Sequence, residues 1–167
     1  MKRARAFTLV EILIVVVLLA ILAVIVLPSL SKGTTMAKES ALASELGMLR
    51  RFVLIYASQH LEVAPGYPNG NPAAAPTDAA FRDQAMLSSN ASGQTAAVGT
   101  PGFKYGPYLS KIPENPFNGK DTVEMLANGQ AFPANADDSH GWICRPWTGE
   151  IRADNTGTSL RKPYYEF

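Results

Sequence analysis

The sequence predicts an α+β fold in which a long N-terminal helix packs on a small antiparallel β-sheet, the ladle shape of a helix with a small head. Three observations lead to this prediction. Sixteen consecutive apolar residues run from Ile12 to Leu27, and an amphipathic helical pattern follows from Met36. Short alternating segments bounded by Pro and Gly fill the last third of the 167 residues.

The first element, residues 7–28, has the length of a membrane span. As a helix, Phe7 to Leu27 covers about 31 Å, close to the thickness of a bilayer's hydrocarbon core. Lipid offers the backbone no hydrogen-bond partner, so we expect this segment to be helical. Basic residues at positions 2, 3 and 5 precede it. The positive-inside rule therefore places the N-terminus in the cytoplasm and the C-terminal domain across the membrane.

Glu11 is the one carboxylate in this apolar segment. A carboxylate inside a spanning helix costs about 2.5–3.5 kcal/mol and needs protonation or a cationic partner. Cleavage before Phe7 would create an ammonium group four residues away, able to pair with Glu11 of the same or a neighbouring chain. Alternatively, Glu11 lies at the membrane interface of a tilted anchor. Charge and periodicity leave both interpretations open.

The run Lys2-Arg3-Ala4-Arg5-Ala6-Phe7-Thr8-Leu9-Val10-Glu11, with Pro28 beyond it, resembles the N-terminus of type IV pilins and type II secretion pseudopilins. The resemblance implies that prepilin peptidase removes residues 1–6 by cleaving between Ala6 and Phe7. It also implies N-methylation of Phe7, a role for Glu11 in assembly and a loosening of the helix at Pro28. The family usually has Gly where this sequence has Ala6.

The resemblance also implies a location and partners. The chain would be a single-pass protein of the inner membrane that later joins a filament. Its partners would be further copies of itself, other pseudopilins, prepilin peptidase and the inner-membrane assembly platform. The system's cytoplasmic ATPase would supply the work. Nucleic acid is not an expected partner, because removing residues 1–6 changes the formal net charge from +1 to −2.

Cysteine content favours the pseudopilin branch. Cys144 is the single cysteine, so no intramolecular disulfide can form. Many pilins of the pilus branch close a C-terminal loop with a disulfide. An ordinary signal peptide cleaved after Ser31 is the alternative for the N-terminus. Its apolar region is usually 7–15 residues long, shorter than this run.

Residues 29–64 are predicted to continue the helix as an amphipathic segment. Pro28 should bend or loosen the helix without ending it, because helical patterning resumes afterwards. The apolar stripe follows alternating spacings of four and three: Leu42, Leu46, Leu49, Val53, Tyr56 and His60. Such a stripe needs a packing partner, most simply the C-terminal sheet. We expect His60 to pack or cap rather than to bind metal, since no cluster of ligands accompanies it.

Residues 65–167 are predicted to form a loop-rich region with a C-terminal β-sheet. A short helix capped by Thr77 should turn Phe81 and Ala85 inward, and residues 88–102 are expected to form a flexible loop. Pro107, Pro113 and Pro116 then exclude a long helix. The stretch 106–119, with its Gly-Pro-Tyr-Leu, Ile-Pro and Asn-Pro-Phe elements, resembles the signature loop of the pseudopilin soluble domain.

The sheet is predicted from three segments. Residues 122–126 alternate weakly, and residues 141–145 and 150–153 are predicted to form a hairpin around a four-residue loop. Trp142, Cys144 and Ile151 are the expected inward positions. The tail to Phe167 lies on the surface or adds an edge.

The motifs of known enzymes are missing from the sequence, with no nucleophile elbow, P-loop, zinc-protease motif or Cys-x-x-Cys pair. We therefore expect no catalytic residue, no cofactor and no metal. Asp137-Asp138-Ser139-His140 could offer two or three oxygens to calcium, which takes six to eight. The major pseudopilin is known for a structural calcium, but this chain lacks the Asp- and Gly-rich tail, and a solvated loop is preferred.

These observations predict a structural subunit of a type II secretion pseudopilus. The first alternative is a major or minor pilin of a type IV pilus, serving adhesion, motility or DNA uptake. The second is a membrane-tethered binding domain that never polymerises, for which Glu11 would be dispensable. The third is an anchored enzyme whose site is assembled only by folding.

Overall fold

The computed structural model describes residues 8–159 and 162–167, except for the side chains of residues 24–32. The chain divides into two compact units, Met1–Lys38 and Glu39–Phe167. Helix α1 is Leu9–Gln59 and helix α2 is Asp78–Met86. The strands are β1 Ser88–Ser89, β2 Thr95–Ala96, β3 Val123–Met125, β4 Trp142–Arg145 and β5 Glu150–Ala153. The predicted α+β class is confirmed.

In the first unit, α1 exposes its large apolar side chains in every direction. Those from Leu9 to Leu22 are between 49% and 85% exposed. None of the helices in the described part of the chain is both long and apolar enough to cross a membrane.

In the second unit, the predicted stripe of α1 forms the core. All six stripe residues are buried, and Phe52 joins them. Across from them lie Phe81 and Ala85 of α2 and the inward side chains of the sheet. At about 25 cal/mol per Å² of apolar surface, this burial is the main stabilisation of the unit.

The three-stranded sheet has the order β3-β4-β5. It is a mixed sheet, whereas the sequence predicted an antiparallel one. The β4–β5 hairpin is antiparallel, with Cys144 opposite Ile151. Strand β3, by contrast, runs parallel to β4, with Val123 opposite Trp142. The connection through residues 126–141 is long enough to return the chain to the same end of the sheet, as parallel pairing requires.

Both faces of β4 are covered. Trp142 and Cys144 belong to the core that contains the α1 stripe, which confirms the prediction that both side chains face inward. Ile143 packs on the opposite face with Leu126 and Tyr165. The tail thus contributes a buried tyrosine to a second small cluster. It ends in a 3₁₀ turn, Tyr164–Glu166.

Two boundaries differ from the predictions. Helix α1 ends at Gln59, whereas the amphipathic segment was predicted to continue to residue 64. The amide of Glu62 donates to the carbonyl of Ala57, and Leu61 and Glu62 have positive φ, which closes the helix without a glycine. Residues 88–102, predicted to be a flexible loop, contain the β1–β2 hairpin, in which Ser89 pairs with Thr95.

Candidate assembly site

Thr8 and Glu11 form a reciprocal cap at the start of α1. The Thr8 amide and hydroxyl both donate to Glu11 Oε2, each at 2.9 Å. In return, the Glu11 amide donates to Thr8 Oγ1 at 3.3 Å. This is a capping box, in which two otherwise unpaired helix-terminal donors are satisfied by side chains. It fixes the Glu11 carboxylate at the N-terminal end of the apolar helix.

Sequence reasoning missed Thr8. The signal was present, because Thr8-Leu9-Val10-Glu11 has the Ser/Thr-x-x-Glu spacing of a capping box ahead of an apolar run. The other predicted site residues are Ala6, Phe7 and Pro28. Ala6 and Phe7 lie outside the described residues. Pro28 lies within the bounds of α1, but its side chain is not among those that the structure describes. The roles predicted for Ala6, Phe7 and Pro28 therefore stay predictions.

The surface beyond Glu11 is apolar all round the helix. Residues 12–19 are all Ile, Leu or Val, and each of them is about half exposed. Successive residues point about 100° apart, so these eight leave no polar direction. A helix of this kind is normally buried in a core, in a membrane or among other helices.

The loop predicted from the Gly-Pro-Tyr-Leu signature packs against both helices of the second unit. The hydroxyl of Tyr108 donates to Gln59 Oε1 at 2.5 Å. The amides of Tyr108 and Leu109 both donate to the carbonyl of Ala85, at 2.9 and 3.0 Å. These hydrogen bonds therefore fix the loop against the C-terminal ends of α1 and α2.

The second half of that loop is held by Asn115, whose side chain is fully buried. Its amide nitrogen donates to the Gly141 carbonyl at 2.8 Å and to Asn155 Oδ1 at 2.5 Å. Its oxygen accepts from the Phe117 amide at 3.1 Å. One side chain thus connects the loop to the open end of the β4–β5 hairpin, just before β4 and just after β5.

The loop Asp137-Asp138-Ser139-His140 is organised by Asp154, which sequence reasoning also missed. Asp154 is fully buried. Its carboxylate accepts from the amides of Asp137 at 3.0 Å and His140 at 2.8 Å, and from the Ser139 hydroxyl at 3.2 Å. Nothing in the sequence near Asp154 indicates this role, because its partners lie 14–17 positions away.

No group of three or more His, Cys, Asp or Glu side chains capable of holding a metal occurs within 8–159 and 162–167. The Asp138 carboxylate accepts hydrogen bonds from the amide and the hydroxyl of Thr156. At Asp137, Oδ1 accepts from the Ser139 amide at 2.9 Å.

His60 is a buried packing residue, as predicted. Nδ1 lies 2.7 Å from the Tyr56 carbonyl and Nε2 lies 2.9 Å from Ser89 Oγ. Since a carbonyl only accepts, Nδ1 carries the proton and Nε2 accepts from Ser89. The ring also stacks on Tyr56, with centroids 3.7 Å apart. Burial lowers the pKa of His60, more than the backbone hydrogen bonds raise it.

Cys144 is a buried free thiol in β4. Burial raises its pKa to about 12. A protonated, inaccessible sulfur is a poor nucleophile. The thiol packs as a small apolar side chain at one of the positions predicted to face inward.

Comparison with known proteins bears on the N-terminus. A family model described as the prokaryotic N-terminal methylation motif matches residues 1–27. No curated protein and no solved structure matches the chain. The matched residues include Ala6, Phe7, Thr8 and Glu11. The chain therefore carries the prepilin-type signal of type IV pilins and pseudopilins, the signal that prepilin peptidase processes.

Proposed function

We propose that the chain is a structural subunit of a type II secretion pseudopilus. In this proposal prepilin peptidase cleaves between Ala6 and Phe7, and Phe7 becomes N-methylated. The processed chain is held in the inner membrane by residues 7–28, with Glu39–Phe167 outside the cytoplasm. It then leaves the bilayer by joining a growing fibre of its own copies and other pseudopilins.

The observation that carries the proposal is the exposed apolar surface of α1 behind Glu11. Water cannot be the resting environment of eight consecutive Ile, Leu and Val side chains, each worth about 1.5–3 kcal/mol on full burial. Lipid and a bundle of identical helices both cover such a surface on every side. A subunit can therefore exchange one for the other with little change in apolar burial.

Glu11 would determine the register in which a subunit's helix packs when it leaves the lipid for the fibre. Its carboxylate is held at the start of the helix by Thr8, at 2.9 Å from both donors. In the fibre we propose that it pairs with the α-amino group of Phe7 of the neighbouring chain. Removing two opposite charges from water is favourable only when they meet. Helix packing at a wrong register would leave both unpaired.

The role proposed for the chain is mechanical. Catalysis, metal and cofactor have no part in it, and the energy comes from the inner-membrane assembly platform and its ATPase. The second unit would act as the head that neighbouring subunits and export substrates contact. Its signature loop, bonded to Gln59 and Ala85, supports the secretion branch. So does Cys144, which has no second cysteine to pair with.

The first test is the mass of the N-terminal peptide of protein expressed with its native prepilin peptidase. We expect a peptide that begins at methylated Phe7. A chain that begins at Lys32 would mean ordinary secretion of a soluble domain. An intact Met1 would mean a permanent anchor and would replace the filament by a tethered domain.

The second test is assembly of variants at Glu11. Glu11→Gln should be processed but should not enter fibres, while Glu62→Gln, an exposed glutamate beyond α1, should assemble normally. Thr8→Val separates capping from assembly, since it removes the hydroxyl and retains the carboxylate. Assembly of Glu11→Gln at the normal level would contradict the proposal. Loss of secretion rather than of pili on deletion of the gene would distinguish the pseudopilus from a type IV pilus.

A further inference from the structure

Glu45 of α1 has a carboxylate oxygen that is buried without a partner. Among the described residues, Oε2 of Glu45 is shielded from solvent and accepts no hydrogen bond. Burial and the nearby Glu114 carboxylate raise the pKa of Glu45. A buried carboxylate oxygen that lacks a donor costs free energy in the isolated chain. A donor from outside the chain would recover it.

Glu45 lines a cleft between α1 and the signature loop. The cleft has a volume of about 520 Å³ and includes Glu45, Met48, Ser110, Lys111 and Glu114, which we name the acidic cleft. Lys111 is paired with Glu114 at 3.7 Å. Two carboxylates against one ammonium leave the cleft with net negative charge. Met48 adds an apolar wall that is 38% exposed.

A second groove, of opposite charge, lies on the other flank of the buried α1 stripe. It has a volume of about 260 Å³ and includes Arg50, Leu54, Glu150 and Arg152, which we name the basic groove. Glu150 pairs with both Arg145 and Arg152. No carboxylate of the described residues lies within ion-pair distance of Arg50, whose guanidinium donates one long bond of 3.4 Å to the Ile151 carbonyl. Leu54 beside it is 68% exposed.

The two surfaces lie on opposite flanks of the buried stripe. Arg50 lies five positions after Glu45, which on a helix is about 140° of rotation and about 7.5 Å of rise. The stripe residues Leu46 and Leu49 point between them and are buried. Both surfaces belong to the Glu39–Phe167 unit. Two copies placed side by side with their helices roughly parallel can therefore bring one copy's acidic cleft to the other's basic groove.

We propose that a second copy of this chain occupies the acidic cleft and inserts Arg50 to pair with Glu45. This deepens the proposed filament function and rests on it. Leu54 of the incoming copy would cover Met48. Because the contact joins two different surfaces of the same chain, it repeats without limit unless the rotation closes a ring. A repeating contact of this kind produces a fibre.

The test is site-directed cross-linking of full-length chains in cells with the assembly machinery. One copy carries Met48→Cys and a second, differently tagged copy carries Leu54→Cys. The native Cys144 remains, and its background is measured in chains without an added cysteine. We expect mixed cross-linked dimers at least about tenfold above either same-site dimer, since a like-on-like contact is not formed.

Charge reversal then tests the pair itself. Glu45→Arg in the Met48→Cys copy should reduce the mixed dimer at least about tenfold, because it opposes Arg50 with a like charge. Arg50→Glu in the other copy should restore it. Arg51→Glu is the matched control, an exposed arginine one position along the helix, and should not restore the dimer. Equal same-site dimers, or restoration by Arg51→Glu, would overturn the proposal.

Electron microscopy of the same cells separates the two proposals. Fibres of the unmodified chain without the mixed dimer would overturn the contact and leave the filament function standing. The absence of any fibre would overturn the filament function, and the contact with it. Fibres together with the mixed dimer support both.

Discussion

The indole nitrogen of Trp142 donates a hydrogen bond of 2.9 Å to the backbone carbonyl of Pro113. Trp142 is fully buried in β4 and is among the largest side chains of the core. Pro113 lies in the signature loop between Leu109 and Asn115. The bond joins the loop to the central strand of the sheet, and the packing of both depends on it.

Trp142→Phe should therefore destabilise the Glu39–Phe167 unit. The substitution leaves the Pro113 carbonyl buried without a donor, at a cost of about 1–3 kcal/mol. A loss of this size lowers the melting temperature by about 2–8 °C for each kcal/mol. Calorimetry of the full-length chain in detergent micelles measures it. Trp147→Phe is the matched control, since Trp147 is 37% exposed and has a cation–π contact with Arg145 worth about 0.5–1 kcal/mol. Equal melting temperatures for the two variants would contradict this prediction.

Asp154→Asn should also destabilise this unit. The carboxylate accepts three hydrogen bonds, two at Oδ2 and one at Oδ1. An amide nitrogen in place of either oxygen turns an acceptor into a donor that faces another donor. We expect a loss of about 1–3 kcal/mol in the free energy of unfolding, measured by urea denaturation. Asp83→Asn, at an exposed position of α2, should change it by less than about 0.5 kcal/mol.

Stability should fall as the solution becomes acidic, and His60 should account for part of the change. Burial lowers the pKa of His60 in the folded chain below its unfolded value of about 6.5. The unfolded chain therefore binds the proton more readily, and stability is lost as the pH falls below about 6.5 towards the folded pKa. Melting temperatures between pH 7.5 and pH 5 should show a slope that His60→Gln reduces. His140→Gln, at the other histidine of the chain, is the control. A slope that disappears in this control but persists in His60→Gln would contradict the assignment.

Gly70→Ala should be costly for a steric reason. Gly70 has φ +68°, and a Cβ there would collide with the backbone of Ser92. Gly129 has a similar φ of +82°, but a Cβ there would have no neighbour within 4 Å. Gly129→Ala therefore measures the backbone strain alone, about 1–2 kcal/mol. We expect Gly70→Ala to lose at least about 1 kcal/mol more in urea denaturation, because two backbone segments must separate. Equal losses would show that the approach of the two segments is not needed.

Patterns within a few residues predicted much of the fold. The α1 stripe follows from its 3.6-residue period, and the Thr77 hydroxyl does accept from the Ala80 amide as a helix cap. The β4–β5 hairpin follows from alternation around a short turn, here the 3₁₀ segment Pro146–Thr148. Each of these features is determined by neighbours in the sequence.

Contacts between distant residues were not predictable in this way. The direction of β3 depends on the path of residues 126–141, which no local pattern records. The end of α1 is set by positive φ at Leu61 and Glu62, residue types that rarely adopt it. Asp154 was missed for the same reason as β3. Thr8 was missed for a different reason. The capping spacing between Thr8 and Glu11 is local, and the sequence alone contained it.

The side chain of Asn118 has a chemical consequence for ageing of the protein. Its amide nitrogen donates to the carbonyls of His140 at 2.7 Å and Asp154 at 2.9 Å. Asparagine before glycine is prone to deamidation, in which the following backbone nitrogen attacks the side-chain carbonyl, and Gly119 follows here. In the fold the Gly119 amide is engaged with the Asn115 carbonyl at 2.8 Å, which hinders the attack. Deamidation would leave a carboxylate facing two carbonyl oxygens. Each opening of this loop therefore exposes the protein to damage that refolding does not reverse.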